Sequence, residues 1–146
     1  MNPIEIEEKY NLPRNSVTIT EFPNGEIEID YGNSLQGVKA KKIVEISDLC
    51  KNNYNSDLVS SDGIPFRAHL EAIMDVQAII DMLEPEGVYE GYKGPDDVYR
   101  DITREQFQTA LNEGKIRKMQ SFAKRKFLTD LILNSESIEE AESISW

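Results

Sequence analysis

Two runs of apolar residues at three- and four-residue spacing constrain this chain more than any other feature of it. Phe66, Leu70, Ile73, Gln77, Ile80 and Leu83 recur through 65–84, and Met74, Val76 and Ile79 widen the apolar face. A face of that width predicts an amphipathic helix laid on a core, and Pro85 and Gly87 end it. The second run opens at Thr103, with Gln106 three residues later. That pair predicts a capping box, in which a hydroxyl and an amide reciprocally satisfy the first backbone donors of a helix. Phe107, Ala110 and Leu111 follow, and Ile116, Met119, Ala123, Phe127 and Leu131 continue on one face to about residue 133, with Phe122, Leu128 and Ile132 beside them. Asn112-Glu113-Gly114 is a candidate stop or bend within it.

Ahead of these runs, Val17-Thr18-Ile19-Thr20 and Ile27-Glu28-Ile29-Asp30-Tyr31 alternate in polarity around Asn24-Gly25. Alternation flanking a dipeptide that accepts positive φ at both centres predicts a tight β-hairpin over 17–31. A lone hairpin is marginal in water, so its apolar residues are expected to pack on a helix or on another chain. Residues 38–46 fit a third strand or a short helix equally well. The Asn- and Ser-rich stretch 51–64 predicts a polar loop, and 85–101, with two Pro, three Gly and three Tyr, an irregular segment. The expected fold class is therefore α+β and mainly helical: an N-terminal β-hairpin, then two or three amphipathic helices, with partly disordered termini. In these terms 1–14 is a flexible acidic arm, interrupted by Pro3 and Pro13; 15–133 is a single domain whose helical part is 65–133; and 134–146 is an acidic tail.

Composition narrows the function classes. The 146 residues carry 27 acidic and 16 basic side chains, a net charge of -11, which opposes stable binding of nucleic acid or an anionic membrane by the whole molecule and leaves room for a local basic patch. Cys50 is the single cysteine, so neither an internal disulfide nor a cysteine metal cluster is expected, and a reducing cytoplasm is the default. No stretch approaches the ~20 apolar residues of a membrane span, and Asn2, Pro3 and the acids after them do not resemble a secretion signal.

The most uneven charge feature is 115–126, where Lys115, Arg117, Lys118, Lys124, Arg125 and Lys126 stand with no acidic residue between them. This stretch is either an electropositive helix face for phosphate or an acidic protein surface, or a solvated face balancing the acidic ends through pairs worth about 0–1 kcal/mol each. Trp146, behind Glu136, Glu139, Glu140 and Glu142, is a candidate anchor for a partner's pocket or an end that folds back. Phe122 and Phe127 join these as candidate contacts by physical inference. No catalytic, metal-binding or cofactor-binding residue is expected. His69 is the sole histidine, and helical spacing does not set Glu71 beside it. Asp96, Asp97 and Asp101 lack the central glycine and closing glutamate of a calcium loop, and Gly87, Gly91 and Gly94 lack the lysine and the strand-to-helix setting of a phosphate loop.

Phe66-Arg67-Ala68-His69-Leu70-Glu71, Asp75-Val76-Gln77-Ala78-Ile79-Ile80, Gly87, Pro95, Tyr99-Arg100-Asp101 and Phe107-Gln108-Thr109-Ala110-Leu111-Asn112, in that order, resemble the internal scaffolding protein of gokushovirus-type microviruses, small icosahedral single-stranded DNA phages. A fainter likeness continues through Phe122, Arg125 and Phe127. The resemblance implies a non-enzymatic protein of the host cytoplasm that lines the procapsid, binds viral coat protein, promotes assembly and leaves before the virion matures. Self-association is compatible with that role. The alternative reading is an acidic phage or host inhibitor that imitates nucleic acid and blocks a DNA-binding protein. Rows of carboxylates on a rigid fold would favour the mimic, whereas a basic helix face between acidic ends favours the scaffold.

Overall fold

The computed structural model describes residues 2–10, 12 and 14–146. The chain is α+β and mainly helical, with five helices and three separate two-stranded antiparallel sheets among the described residues. The expected single domain over 15–133 resolves into two compact units, one built from 1–50 with 123–146 and the other from 51–122. The reason is that apolar side chains gather around two centres rather than one.

In the first unit, α1 (Pro3–Lys9) starts with Pro at its first turn and a capping box in which the Asn2 side chain accepts from the Glu5 N–H at 2.9 Å. The acidic arm thus contains a helix that buries Ile6; Pro13, invoked there as a breaker, lies outside the described residues. Glu7 is buried too, its carboxylate accepting the Ser16 N–H at 2.9 Å. The expected hairpin forms from β1 (Thr18–Glu21) and β2 (Ile27–Asp30), with Ile19 opposite Ile29. Its turn differs from the expected one, because positive φ occurs at Gly25 and not at Asn24. Pro23 holds φ negative at the second position of a turn closed by the Gly25 N–H on the Phe22 carbonyl at 2.9 Å, and the glycine then takes the left-handed conformation. Val17, Ile19, Ile29 and Tyr31 pack on the core of α2 (Leu35–Asn55) and the end of α4 (Arg104–Asn134), where Ile43, Ile46 and Ile132 are buried. The ambiguous 38–46 is therefore helix. Gly37 allows α2 to meet the chain before it: a Cβ there would lie 1.6 Å from the Tyr31 carbonyl oxygen. The acidic tail contains α5 (Ile138–Ser143), which buries Ala141.

The second unit begins at 51 within the last turns of α2, which runs on to Asn55, five residues into the stretch expected to be a loop. That stretch also holds most of a miniature hairpin, β3 (Leu58–Val59) with β4 (Pro65–Phe66). The helix expected over 65–84 is α3 (Leu70–Met82): Phe66 belongs to a strand and His69 is the N-cap, its Nδ1 accepting the Ala72 N–H at 3.3 Å. The irregular segment 85–101 is mostly a third hairpin, β5 (Val88–Lys93) with β6 (Tyr99–Thr103), bulged between Tyr89 and Tyr92. Gly91 takes positive φ at that bulge, where its N–H donates to Asp101 at 3.0 Å. The capping box forms as expected, Thr103 Oγ1 accepting from Gln106 N at 3.1 Å and Gln106 Oε1 from Thr103 N at 3.0 Å. It launches α4, which runs through Asn112-Glu113-Gly114 without stopping, since one interior glycine costs only about 1 kcal/mol. Phe66, Tyr92 and Phe107 meet edge-on or tilted at 5.2–5.8 Å between ring centres, over Val76, Ile80 and Ile102.

Candidate functional site: a partly exposed helix and a basic-rimmed cleft

The apolar face expected to bury α4 is not the one that is buried. Leu128 and Ile132 enter the core, whereas Ile116 is 54% exposed, Met119 71%, Phe127 63% and Leu131 42%, with Ala123 exposed as well. Ile116 to Leu131 and Leu128 to Ile132 both follow helical spacing, with the two rows about 140° apart around the helix at ~100° per residue, so periodicity admits either face and packing chooses. Single exposed apolar residues are ordinary; a run of them along one helix face marks a surface for contact.

The basic residues of 115–126 divide by environment. In the second unit Arg117 is half-buried and turned inward. Its guanidinium donates to the carbonyls of Tyr54 at 3.4 Å and Asp57 at 3.2 Å, and closely to that of Ser56. These are acceptors at and just past the C-terminus of α2, which has no basic residue in its own last turn. Burial pulls the Arg117 pKa down, with Asp57 opposing. It is therefore a helix-capping cation rather than an exposed contact. Lys118 lies over the Tyr54 ring at 5.1 Å and the Phe122 ring at 5.8 Å, and those rings meet edge-on at 5.3 Å. Lys115 is exposed and makes no ion pair among the described residues.

In the first unit Lys124 stacks over the Trp146 ring at 4.6 Å, and Trp146 packs half-buried against the core. The fold-back alternative thus describes this tryptophan, whose ring is already covered on one side. Lys126 pairs with Asp130 at 2.7 Å. Arg125 is exposed; together with Lys126 and Lys9 it borders a cleft of about 420 Å³, and its charge opposes the rise that burial imposes on the Cys50 thiol. Phe127 is the most open aromatic of the expected set.

A smaller cleft of about 240 Å³ lies within the second unit. Leu58, Phe66, Ile73, Val76, Ala110 and Leu111 supply its apolar lining, Gly114 opens one wall, and Arg67, Lys115 and Lys118 are its only charged residues. Lys115 and Lys118 were legible in the sequence as candidate contacts, but the cleft they border was not. Its walls come from α2, the small hairpin, α3 and α4, and no local pattern brings those together.

The carboxylates weighed for a cation each have a separate partner. Asp96 takes Arg100 at 2.6 and 2.8 Å, which lowers its pKa to about 2; Asp97 takes Lys93 at 3.0 Å; and Asp101 takes the Gly91 N–H. Among the described residues, no three His, Cys, Asp or Glu side chains gather in a metal-holding group, and no helix is long and apolar enough to cross a membrane. No family model matches the chain, and searches among curated proteins and among solved structures found no match.

Proposed function

We propose that this chain is a binding protein that promotes assembly, with α4 as its contact helix and viral coat protein as its partner, in the manner of an internal scaffold. The observation that carries the reading is the row of exposed apolar side chains on α4 with lysines beside it. Methionine and aromatic side chains supply contact area at interfaces, and they anchor best when a partner excludes water around them. Met119 and Phe127 are of these types. Lys115, Lys124 and Lys126 lie along the same stretch, where charge directs approach and register more than it adds affinity. The resemblance of 66–112 to the scaffolding proteins of small single-stranded DNA phages supports the choice of partner. A net charge of -11 suits a component that must leave as nucleic acid enters, since like charge opposes their shared confinement.

Co-expression with the major coat protein from the same genomic neighbourhood, followed by sedimentation and electron microscopy, tests the proposal. Closed shells are expected only when the chain is present, and Phe127→Asp is expected to reduce shell yield at least tenfold while circular dichroism remains that of the parent. An absence of any association would overturn the scaffold reading and turn attention to an acidic competitor for a basic groove.

A further inference from the structure

We infer that the cleft in the second unit is a binding site for a small amphiphile with an anionic head: a monocarboxylate carrying an unbranched apolar body of medium length. The site shares Lys115 with the proposed contact stretch of α4 but does not depend on that reading.

Three observations converge. The first is charge. The chain has 27 acidic residues against 16 basic, yet the cleft lining contains three cations and no carboxylate. Chance placement on so acidic a chain would favour the opposite. The cations are also positioned: Lys118 is held over the Tyr54 and Phe122 rings, Arg67 donates to the Lys93 carbonyl at 3.3 Å, and Lys115 lies one turn of α4 before Lys118. A carboxylate at this rim gains favourable charge and hydrogen-bond donors, and an ammonium meets repulsion.

The second is Gly114. It is interior to α4, where glycine is a poorer helix former than alanine. Its φ is not in the left-handed region, and an added Cβ would meet nothing nearer than Leu58 Cδ2 at 3.9 Å. Neither backbone conformation nor packing within the chain calls for glycine here. What its missing side chain does is keep the cleft wall open.

The third is size. At about 240 Å³ the cleft exceeds the ~150 Å³ of a cavity that admits benzene and falls below the ~300–1,000 Å³ typical of sites for drug-sized ligands. An apolar chain of about eight carbons is in proportion, at about one water volume per methylene. The lining is predominantly aliphatic with polar groups confined to Tyr54, Asn55 and the three cations, the division a chain with one charged end requires.

The test is titration of the full chain, followed by amide chemical shifts, with decanoate, decanol and decylamine, each below its micellar concentration. Saturable one-to-one binding of decanoate is expected, with the largest shifts near Leu58, Ala110 and Gly114, and affinity at least tenfold above that of the other two. The double variant Lys115→Glu/Lys118→Glu is expected to lose that preference for the carboxylate. Gly114→Leu is expected to abolish binding of all three by filling the cleft, and Gly114→Ala, a smaller change on the same wall, to weaken it while keeping the fold. Phe127→Asp should leave decanoate binding unchanged, so a failure of coat-protein assembly and a failure of this site remain distinguishable. Absence of saturation, equal binding of decylamine or decanol, or shifts centred outside the cleft would each overturn the inference.

Discussion

Two glycines inside helices mark opposite limits of packing. At Gly37 an added Cβ would overlap the Tyr31 carbonyl oxygen, and at Gly114 it would make only ordinary contact. Gly37→Ala is therefore expected to cost about 2–3 kcal/mol through forced backbone movement, and Gly114→Ala to gain about 1 kcal/mol, both read from urea unfolding. Local sequence cannot separate these cases, because the neighbours of Gly37 in the first turn of α2 and of Gly114 in the middle of α4 do not record what a Cβ would meet. The β5–β6 turn offers a second residue-scale measurement. The Arg100 hydrogen bonds hold the Asp96 carboxyl at about 2 against an ordinary 3.8, so the folded chain binds fewer protons than the unfolded chain between those values. The contribution of this pair is thus complete above about pH 4 and is lost as pH falls through about 2. In a carbon-detected titration Asp96 is expected to have its midpoint near 2, and Arg100→Gln to return it toward 3.8.

At the scale of elements, the long helices are finished by cations from distant parts of the chain. Neither α2, α3 nor α4 carries a basic residue in its last turn. Arg117 caps α2; Arg104 donates to the Ile80 carbonyl near the end of α3 at 3.0 Å; and Lys39 donates to the Leu133 carbonyl near the end of α4 at 2.8 Å. Unpaired terminal carbonyls together carry a partial negative charge, so a cation there supplies both hydrogen bonds and charge complementarity. Arg117→Met should destabilise the protein by about 1–2 kcal/mol in urea unfolding and speed amide exchange at the end of α2, because charged donors are withdrawn from helix-terminal carbonyls, of which that of Tyr54 is half-buried. Lys115→Met, two residues earlier, should change stability by no more than about 0.5 kcal/mol. The basic run, weighed as either an electropositive contact face or a solvated one, thus contains a structural member, and that member is visible only once 54–57 and 117 are brought together.

On the scale of the whole molecule, charge and burial act on different features. Net charge of -11 leaves basic groups conspicuous wherever they remain exposed, as at Lys115 and Lys118. Two modest apolar cores take up Phe107, Ile43, Ile46, Ile80 and Ile132, and the apolar residues left over on α4 are available to a partner. In the co-assembly experiment, raised ionic strength should slow shell formation more than it lowers the final yield, since lysine contacts steer approach and apolar contacts retain the partner.

Short-range chemistry carried much of this fold in the open. The hairpin at 17–31, the capping box at Thr103 and Gln106, and the helical character of α3 and α4 were all legible, because alternation, side-chain capping and 3.6-residue periodicity act between near neighbours. The turn at 22–25 was also local, but Pro23 had to be weighed above Asn24-Gly25. Tertiary structure alone decided which face of α4 is covered, since Ile116 to Leu131 and Leu128 to Ile132 satisfy the same period and only the available neighbours distinguish them. It likewise made Arg117 a cap, laid Trp146 against Lys124, divided the chain into two cores and formed the cleft around Gly114. Each of these depends on contacts between segments far apart in sequence, where the free energy comes from burial and geometry and no local pattern records it.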